Sequence, residues 1–271
     1  MITSYPVAAT GFVAPAYTTT DCIVYYDPAN PASYSGSGTT INDLSGNNTN
    51  GIINNATFSA TNGGTLSFLG SAGNQYVMTP NLHSLVGSYY PPGATNIGAI
   101  TIEMWIYATG YGSALMEVGQ NSISTGFRTN NIELGTVGPF FAPRAGYLAD
   151  GTGTMTYNGT SGTPALNKWM HFCLVYTGSG TLVPALYYNG VSGATANSGA
   201  RRPPSLQTPL LTGQTLSYSG WAFGAGSATN SLGLTSAMYT GRIGIMRVYR
   251  RGLSTVEIQD NYNNVKARYG L

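Results

Sequence analysis

The sequence predicts an all-β protein of two stacked antiparallel sheets, closed by one short C-terminal helix. Three observations carry this. Many short apolar runs with a two-residue period are spread along the 271 residues, separated by turns rich in glycine, asparagine and proline. A hydrophobic content of 42% is ample for a core. The last thirty residues then change period from strand to helix, as a terminal helix laid on a sandwich requires.

Taken in order, residues 1–20 carry Pro6, Pro15 and a Thr18-Thr19-Thr20 run without a sustained period, and read as an extended arm. Residues 21–271 read as a single domain, since neither a charged linker nor a repeat divides them. Cys22 to Tyr26 is the first strand, closed by Asp27-Pro28 and Asn30-Pro31, steps that favour turns. A loop at Asp43 follows, and then Thr65–Leu69 and Gln75–Thr79, predicted to pair as a hairpin around Gly70–Asn74. Residues 80–98 form a long loop of the kind that often carries function.

Ala99 to Ala108 is the clearest strand, and Ser113 to Val118 is expected to pair with it across Gly110-Tyr111-Gly112. Short strands around Phe127, Ile132–Leu134 and Met155–Tyr157 come next. Lys168 to Tyr176 is apolar on both faces, as a central strand should be. Leu182 to Tyr188 ends in Asn189-Gly190, a strong hairpin turn. A second long loop over 191–214 leads through Leu216–Tyr218 and Trp221–Phe223 to the closing strand. There Ile243, Ile245, Arg247 and Tyr249 alternate with Gly244, Met246 and Val248. Ser254 and Glu257 then form a capping box, and Ile258, Tyr262 and Val265 follow at helical spacing.

Composition narrows the function classes. Only 7% of residues are charged, against about 25% in typical domains, and hydroxyls, amides and 20 tyrosines stand in their place. Such a surface suits a subunit covered by neighbours, or a β-protein solvated by hydroxyls and amides. Cys22 and Cys173 lie in predicted strands, as buried free thiols or as one disulfide. No apolar run reaches the ~20 residues of a membrane span, and the start lacks the features of a signal peptide. Residues 242–271 hold Arg242, Arg247, Arg250, Arg251, Lys266 and Arg268 against Glu257 and Asp260. This reads as a solvated basic face with no nucleic acid partner. His83 has no plausible nucleophile beside it, and His171 reads as a core histidine. Glycan binding needs aromatic faces flanked by polar groups. Trp105 and Tyr107 on one strand face, Tyr89 and Tyr90 in the first long loop, and Trp221 are the candidates, set against the ordinary use of such rings in a core.

Several blocks resemble one family. The closing strand and helix (Arg247-Val248-Tyr249, Leu253-Ser254, Glu257-Ile258, Asn261-Tyr262) are similar to those of laminin-G-like domains, members of the concanavalin A-like lectin and glucanase superfamily. Asp43-Leu44-Ser45-Gly46-Asn47, Ile100–Ile106, Trp169-Met170-His171 and Tyr187-Tyr188-Asn189-Gly190 agree with it, so the resemblance covers roughly residues 22–269. It implies a jelly-roll sandwich. It also implies a test for chemistry, because the superfamily's glucanases carry a Glu-x-Asp-x-Glu strand. No two of this chain's nine acids are two residues apart, so no catalytic residue is assigned. Glu103 and Glu117 are expected to make hydrogen bonds or ion pairs at a sheet surface. Many relatives hold a calcium ion, for which Asp43 and Asn47 are the candidate ligands here. The closing strand, however, reads Ile243-Gly244-Ile245-Met246 where the family often has an acid. No cofactor is therefore expected beyond a structural calcium. The resemblance extends to structural proteins of bacteriophages and large viruses. It points first to a non-enzymatic virion component in contact with neighbouring subunits. A cell-surface or extracellular carbohydrate-binding lectin module is second, and a degenerate glycoside hydrolase third.

Overall fold

The computed structural model describes residues 16–70, 73–80, 82, 85, 99–110, 113–118, 130–137, 140–146, 154–156, 166–176, 185–194, 221–226 and 237–271. The chain begins with β1 (Cys22–Tyr26), β2 (Thr40–Ile41), β3 (Gly51–Asn54), β4 (Thr57–Ser59), β5 (Thr65–Leu69) and β6 (Tyr76–Met78). The middle holds β7 (Ile100–Ala108), β8 (Ser113–Val118), β9 (Asn130–Val137), β10 (Phe140–Gly146), β11 (Thr154–Thr156) and β12 (Trp169–Tyr176). It ends with β13 (Ala185–Tyr188), β14 (Val191–Ala194), β15 (Trp221–Phe223), β16 (Ala225–Gly226), β17 (Ala237–Met238) and β18 (Thr240–Tyr249). Helix α1 (Thr255–Asn263) and a 3-10 turn over Lys266–Tyr269 close the chain.

Two large antiparallel sheets and a small β16-β17 pair result. The first runs β14-β13-β12-β7-β18-β5-β4, with β1 also on β18; the second runs β11-β10-β9-β8-β15-β6-β3-β2. Between them lies the main core. Ile102, Met104 and Ile106 of β7, Phe172 and Leu174 of β12, and Met246 and Val248 of β18 meet Ile53, Val77, Met116 and Phe223 of the second sheet. Burying each such side chain contributes about 1.5–3 kcal/mol.

Two expected hairpins are instead crossovers between the sheets. β5 and β6 lie in different sheets, as do β7 and β8. The reason is edge occupancy: β5 is paired on both sides by β4 and β18, and β7 by β12 and β18. The chain leaves β5 at Gly70, whose φ of +73° suits glycine. The Asn189-Gly190 turn forms as expected, with both residues at positive φ. Val191–Ala194, taken from sequence as the start of a loop, is its return strand.

The closing strand departs from simple alternation. A bulge between Ile243 and Met246 turns Ile243 inward with Met246 and Val248, and leaves Ile245 and Tyr249 on the outer face. A third layer covers that face. Trp105, Trp169, Cys173, Ile245 and Tyr249 pack under Leu253, Ile258, Val265 and Tyr269 of the C-terminal segment. Cys22 and Cys173 are buried free thiols. No described helix is long and apolar enough to cross a membrane.

Residues 1–15 lie outside the described residues, and the described end of the arm rests on this third layer. Thr18 N donates to Asn261 Oδ1 at 2.9 Å, and the Tyr17 ring lies 4.4 Å from that of Tyr25. The predicted strands at Phe127 and Leu216–Tyr218 are also outside the described residues.

Candidate functional site

Strand register brings Glu103 opposite Arg247 on one side and Cys173 on the other. Arg247 Nη1 donates to Glu103 Oε1 at 2.9 Å, and His171 Nε2 lies 3.2 Å from the same oxygen. On Oε2, Asn261 Nδ2 donates from α1 at 2.8 Å and the Tyr249 hydroxyl from 3.4 Å. The rings of Tyr17 and Tyr25 lie 4.7 and 4.6 Å from the guanidinium carbon of Arg247. Glu103, His171, Arg247 and Asn261 are all fully buried. Burial opposes ionisation of Glu103, but Arg247, His171 and Asn261 outweigh it and hold the carboxyl down to about 2. An ionised Glu103 makes Nε2 the protonated nitrogen of His171. The expected ion pair therefore exists, but beneath the C-terminal layer rather than at a sheet surface. A carboxylate so enclosed meets no substrate.

Asp43 is equally occupied. Its Oδ1 accepts from the amides of Tyr25 and Ser45, both at 2.9 Å. Its Oδ2 accepts from the Ser45 hydroxyl at 2.7 Å and from the amides of Asn47 and Thr49 at 3.2 Å. Asn47 Nδ2 donates to Cys22 O at 2.9 Å. The lone pairs of Asp43, one of the two candidate calcium ligands with Asn47, fold the loop, where a hard cation would need them free. Among the described residues no cluster of three His, Cys, Asp or Glu side chains is placed to hold a metal.

One part of the first sheet's outer face remains open. Directly opposed residues share a face, and the pairs Thr57–Ser67, Ser67–Arg242, Arg242–Tyr107 and Tyr107–Trp169 form one rung across five strands. The Arg242 guanidinium lies 4.2 Å from the Tyr107 ring centroid and 5.4 Å from that of Trp169. Ser67, Arg242 and Tyr107 are half-buried and Thr57 is exposed. Leu69, one step along β5, is 66% exposed. Trp169 Nε1 donates to Asn62 Oδ1 at 2.9 Å, and its ring packs 4.4 Å from Tyr269, which closes that end of the rung.

Five arginines have described side chains. Arg247, Arg250, Arg251 and Arg268 each pair with a carboxylate, of Glu103, Asp21, Glu257 and Asp27 respectively. Arg242 pairs with none among the described residues.

Of the described residues expected to face a sugar, only Tyr107 lies in this open rung. Trp105 and Trp221 are corrected. Trp105 is fully buried, stacked 4.4 Å from Tyr269 and 5.7 Å from Tyr262. Trp221 is buried in the core between the sheets. Tyr89, Tyr90 and His83 lie outside the described residues. Sequence reasoning missed Arg242 and Ser67 as neighbours of Tyr107, because only the β7-β18-β5 order brings them together.

A sandwich of this order, with its C-terminal helix on one face, defines a lectin-like β-fold. The chain belongs to the concanavalin A-like lectin/glucanase superfamily, whose Laminin_G_3 model matches residues 70–259. Solved structures with the same fold include the binding domain of Paraclostridial Mosquitocidal Protein 1, at 16% identity and a TM-score of 0.57. That match covers 90% of this chain and 52% of the other. Trypanosoma rangeli sialidase in complex with 2,3-difluorosialic acid matches at 15% identity and TM-score 0.53, over 89% of this chain and 33% of that one. Domain 4 of AbnA, a GH43 extracellular arabinanase from Geobacillus stearothermophilus, in complex with arabinotriose, matches at 12% and 0.51, over 89% of this chain and 98% of that domain. The chain thus spans about half of the toxin binding domain's structure and a third of the sialidase. No curated protein matches the sequence.

Proposed function

We propose that the protein is a non-catalytic glycan-binding module whose contact surface is the open rung around Tyr107. The observation that carries this is the half-buried Tyr107 ring held against Arg242, beside the hydroxyls of Ser67 and Thr57. Sugars present C–H faces and hydroxyls together, and an aromatic ring bordered by hydrogen-bonding groups matches both. A neighbour solved with arabinotriose lends support at the level of fold. The reading calls for no metal at Asp43, whose carboxylate accepts from the protein's own donors.

Retention on a set of immobilised glycans tests this. Wild-type protein is expected to be retained equally with and without a chelator. Thr57→Trp is expected to lose retention while keeping the wild-type melting temperature, and Tyr107→Ala to lose retention with a lowered melting temperature, since its ring packs on Arg242 and Trp169. Retention that survives both substitutions would move the surface elsewhere. Failure of folded wild type to bind any glycan would end the reading.

Sparse charge favours a second reading, a structural subunit of an assembly such as a virion. Ile52, Met78 and Ala222, opposed in the register of the second sheet, lend it an apolar strip on which Ile52 is 53% exposed. Co-purification with a particle supports this reading; a monodisperse monomer at high concentration counts against it.

A further inference from the structure

We infer that the open rung takes a sugar that carries a carboxylate, with Arg242 as the group that recognises the acid. This deepens the glycan-binding reading above and rests on it.

The fold itself shows how its arginines are used. Four of the five described guanidiniums meet an internal carboxylate, with N–O distances of 2.5–2.9 Å. Arg242 is half-buried and does not. The other members of its rung, Thr57, Ser67, Tyr107 and Trp169, are all uncharged, so nothing in the row neutralises it. Two buried acids are already engaged with other arginines. Asp27 is held by Arg268, at 2.5 and 2.9 Å, and Glu103 by Arg247. The result is a local excess of positive charge on a surface otherwise built from rings and hydroxyls.

Geometry sets what this charge can recognise. A guanidinium is a rigid planar fork of five N–H donors. Tyr107, 4.2 Å from its central carbon, and Trp169 at 5.4 Å engage it through their π faces. Ring contacts use none of its N–H groups. Two parallel N–H donors match the two oxygens of a carboxylate, and a charge-assisted pair of this kind is about twice as strong as a neutral hydrogen bond. Partial burial weakens screening by solvent and salt. The sugar ring then has Tyr107 and Leu69 for its C–H faces, and Ser67 and Thr57 for its hydroxyls.

The test compares three sets of immobilised oligosaccharides: neutral, carboxylated (uronic-acid or sialic-acid bearing) and sulfated. Wild-type protein is expected to bind the carboxylated set best, with affinity falling as salt rises. Methyl esterification of the carboxylates should abolish the preference. Arg242→Gln should lower affinity by about tenfold or more, and Arg242→Lys should recover only part of it, since an ammonium keeps the charge without the fork. Ser67→Asp places an acid directly opposite Arg242 in the register, and should abolish binding while leaving the melting temperature near wild type. That variant decides the matter even where Arg242→Gln is unstable. Binding of neutral glycans that Arg242→Gln and Ser67→Asp leave intact would overturn the inference and leave the glycan-binding reading standing. Preference for the sulfated set would overturn the assignment to a carboxylate. Absence of binding to all three sets by folded wild type would remove both readings at once.

Discussion

A glutamate with no exposed surface stays ionised only while a counter-charge and hydrogen-bond donors surround it. Glu103 has Arg247, His171, Asn261 and Tyr249 around two oxygens, and removing its charge strands Arg247 in a dry layer. Glu103→Gln is therefore expected to cost about 3–5 kcal/mol at neutral pH, read by urea unfolding. The pH dependence follows from the direction of the shift. Folding lowers the Glu103 carboxyl to about 2, below its ordinary value near ~4.3. Its contribution is then complete above ~4.3 and is lost as pH falls towards 2. The stability gap between wild type and Glu103→Gln should narrow across that window. Glu257, lowered to about 2 on the helix surface by Arg251, is present in both proteins and cancels in the difference. A gap constant from pH 6 to 2 would mean that Glu103 does not carry the charge. Gly244 answers a related question, why the closing strand has no acid there. A Cβ at that position would overlap the Tyr269 hydroxyl, to which Ile245 N donates at 3.3 Å. Tyr269 cannot yield, being stacked 4.4 Å from both Trp105 and Trp169. Gly244→Ala should thus cost about 1–3 kcal/mol, and an unchanged urea midpoint would show that Tyr269 is free to move.

At the scale of elements, the C-terminal helix is where local sequence and structure agree most closely. The Ser254 hydroxyl accepts from Glu257 N at 3.3 Å, and Ser254 N donates to the Glu257 carboxylate at 2.9 Å, the box read from the spacing alone. The strands at Cys22–Tyr26, Thr65–Leu69, Ser113–Val118 and Trp221–Phe223 were legible because each is a short apolar run between turn residues. Their partners were not. A two-residue period says which residues share a face, but not which sheet the strand joins, so β5–β6 and β7–β8 were misread as hairpins. Buried Asn261 was missed for another reason: a polar residue on a helix reads as solvated, and its partners Thr18 and Glu103 are distant in sequence. The strap from Tyr17 to Asp21 was likewise illegible without the register. It is held by Thr18 N to Asn261, by Tyr17 on Arg247, by Arg251 Nε to Thr20 O at 3.2 Å, and by Arg250 to Asp21 at 2.6 Å. A chain starting at Asp21 should consequently melt below one starting at Ala16, with a loss of about 1–3 kcal/mol. Equal melting temperatures would return these residues to the status of a loose arm.

Across the whole molecule, the acids with described side chains bear on whether hydrolysis accompanies binding. Retaining hydrolysis needs two carboxyls about 5–5.5 Å apart on either side of the sugar bond, one of them protonated before reaction. Among the described acids, Glu103 faces the closed third layer, while Asp21, Asp27 and Glu257 are each held by an arginine. Asp43 is filled by backbone amides and a hydroxyl, and Asp260 stands on the exposed side of α1. Glu103 and Glu257, each lowered to about 2 beside an arginine, are ionised at neutral pH and are poor proton donors, and none of these acids borders the open rung of Thr57, Ser67, Arg242 and Tyr107. Incubation with arabinan and a mixed-linkage β-glucan is therefore expected to release no reducing ends, even where the protein binds the polymer. Release that disappears in Glu117→Gln, on a strand of the second sheet, would instead make the protein a hydrolase acting from that sheet.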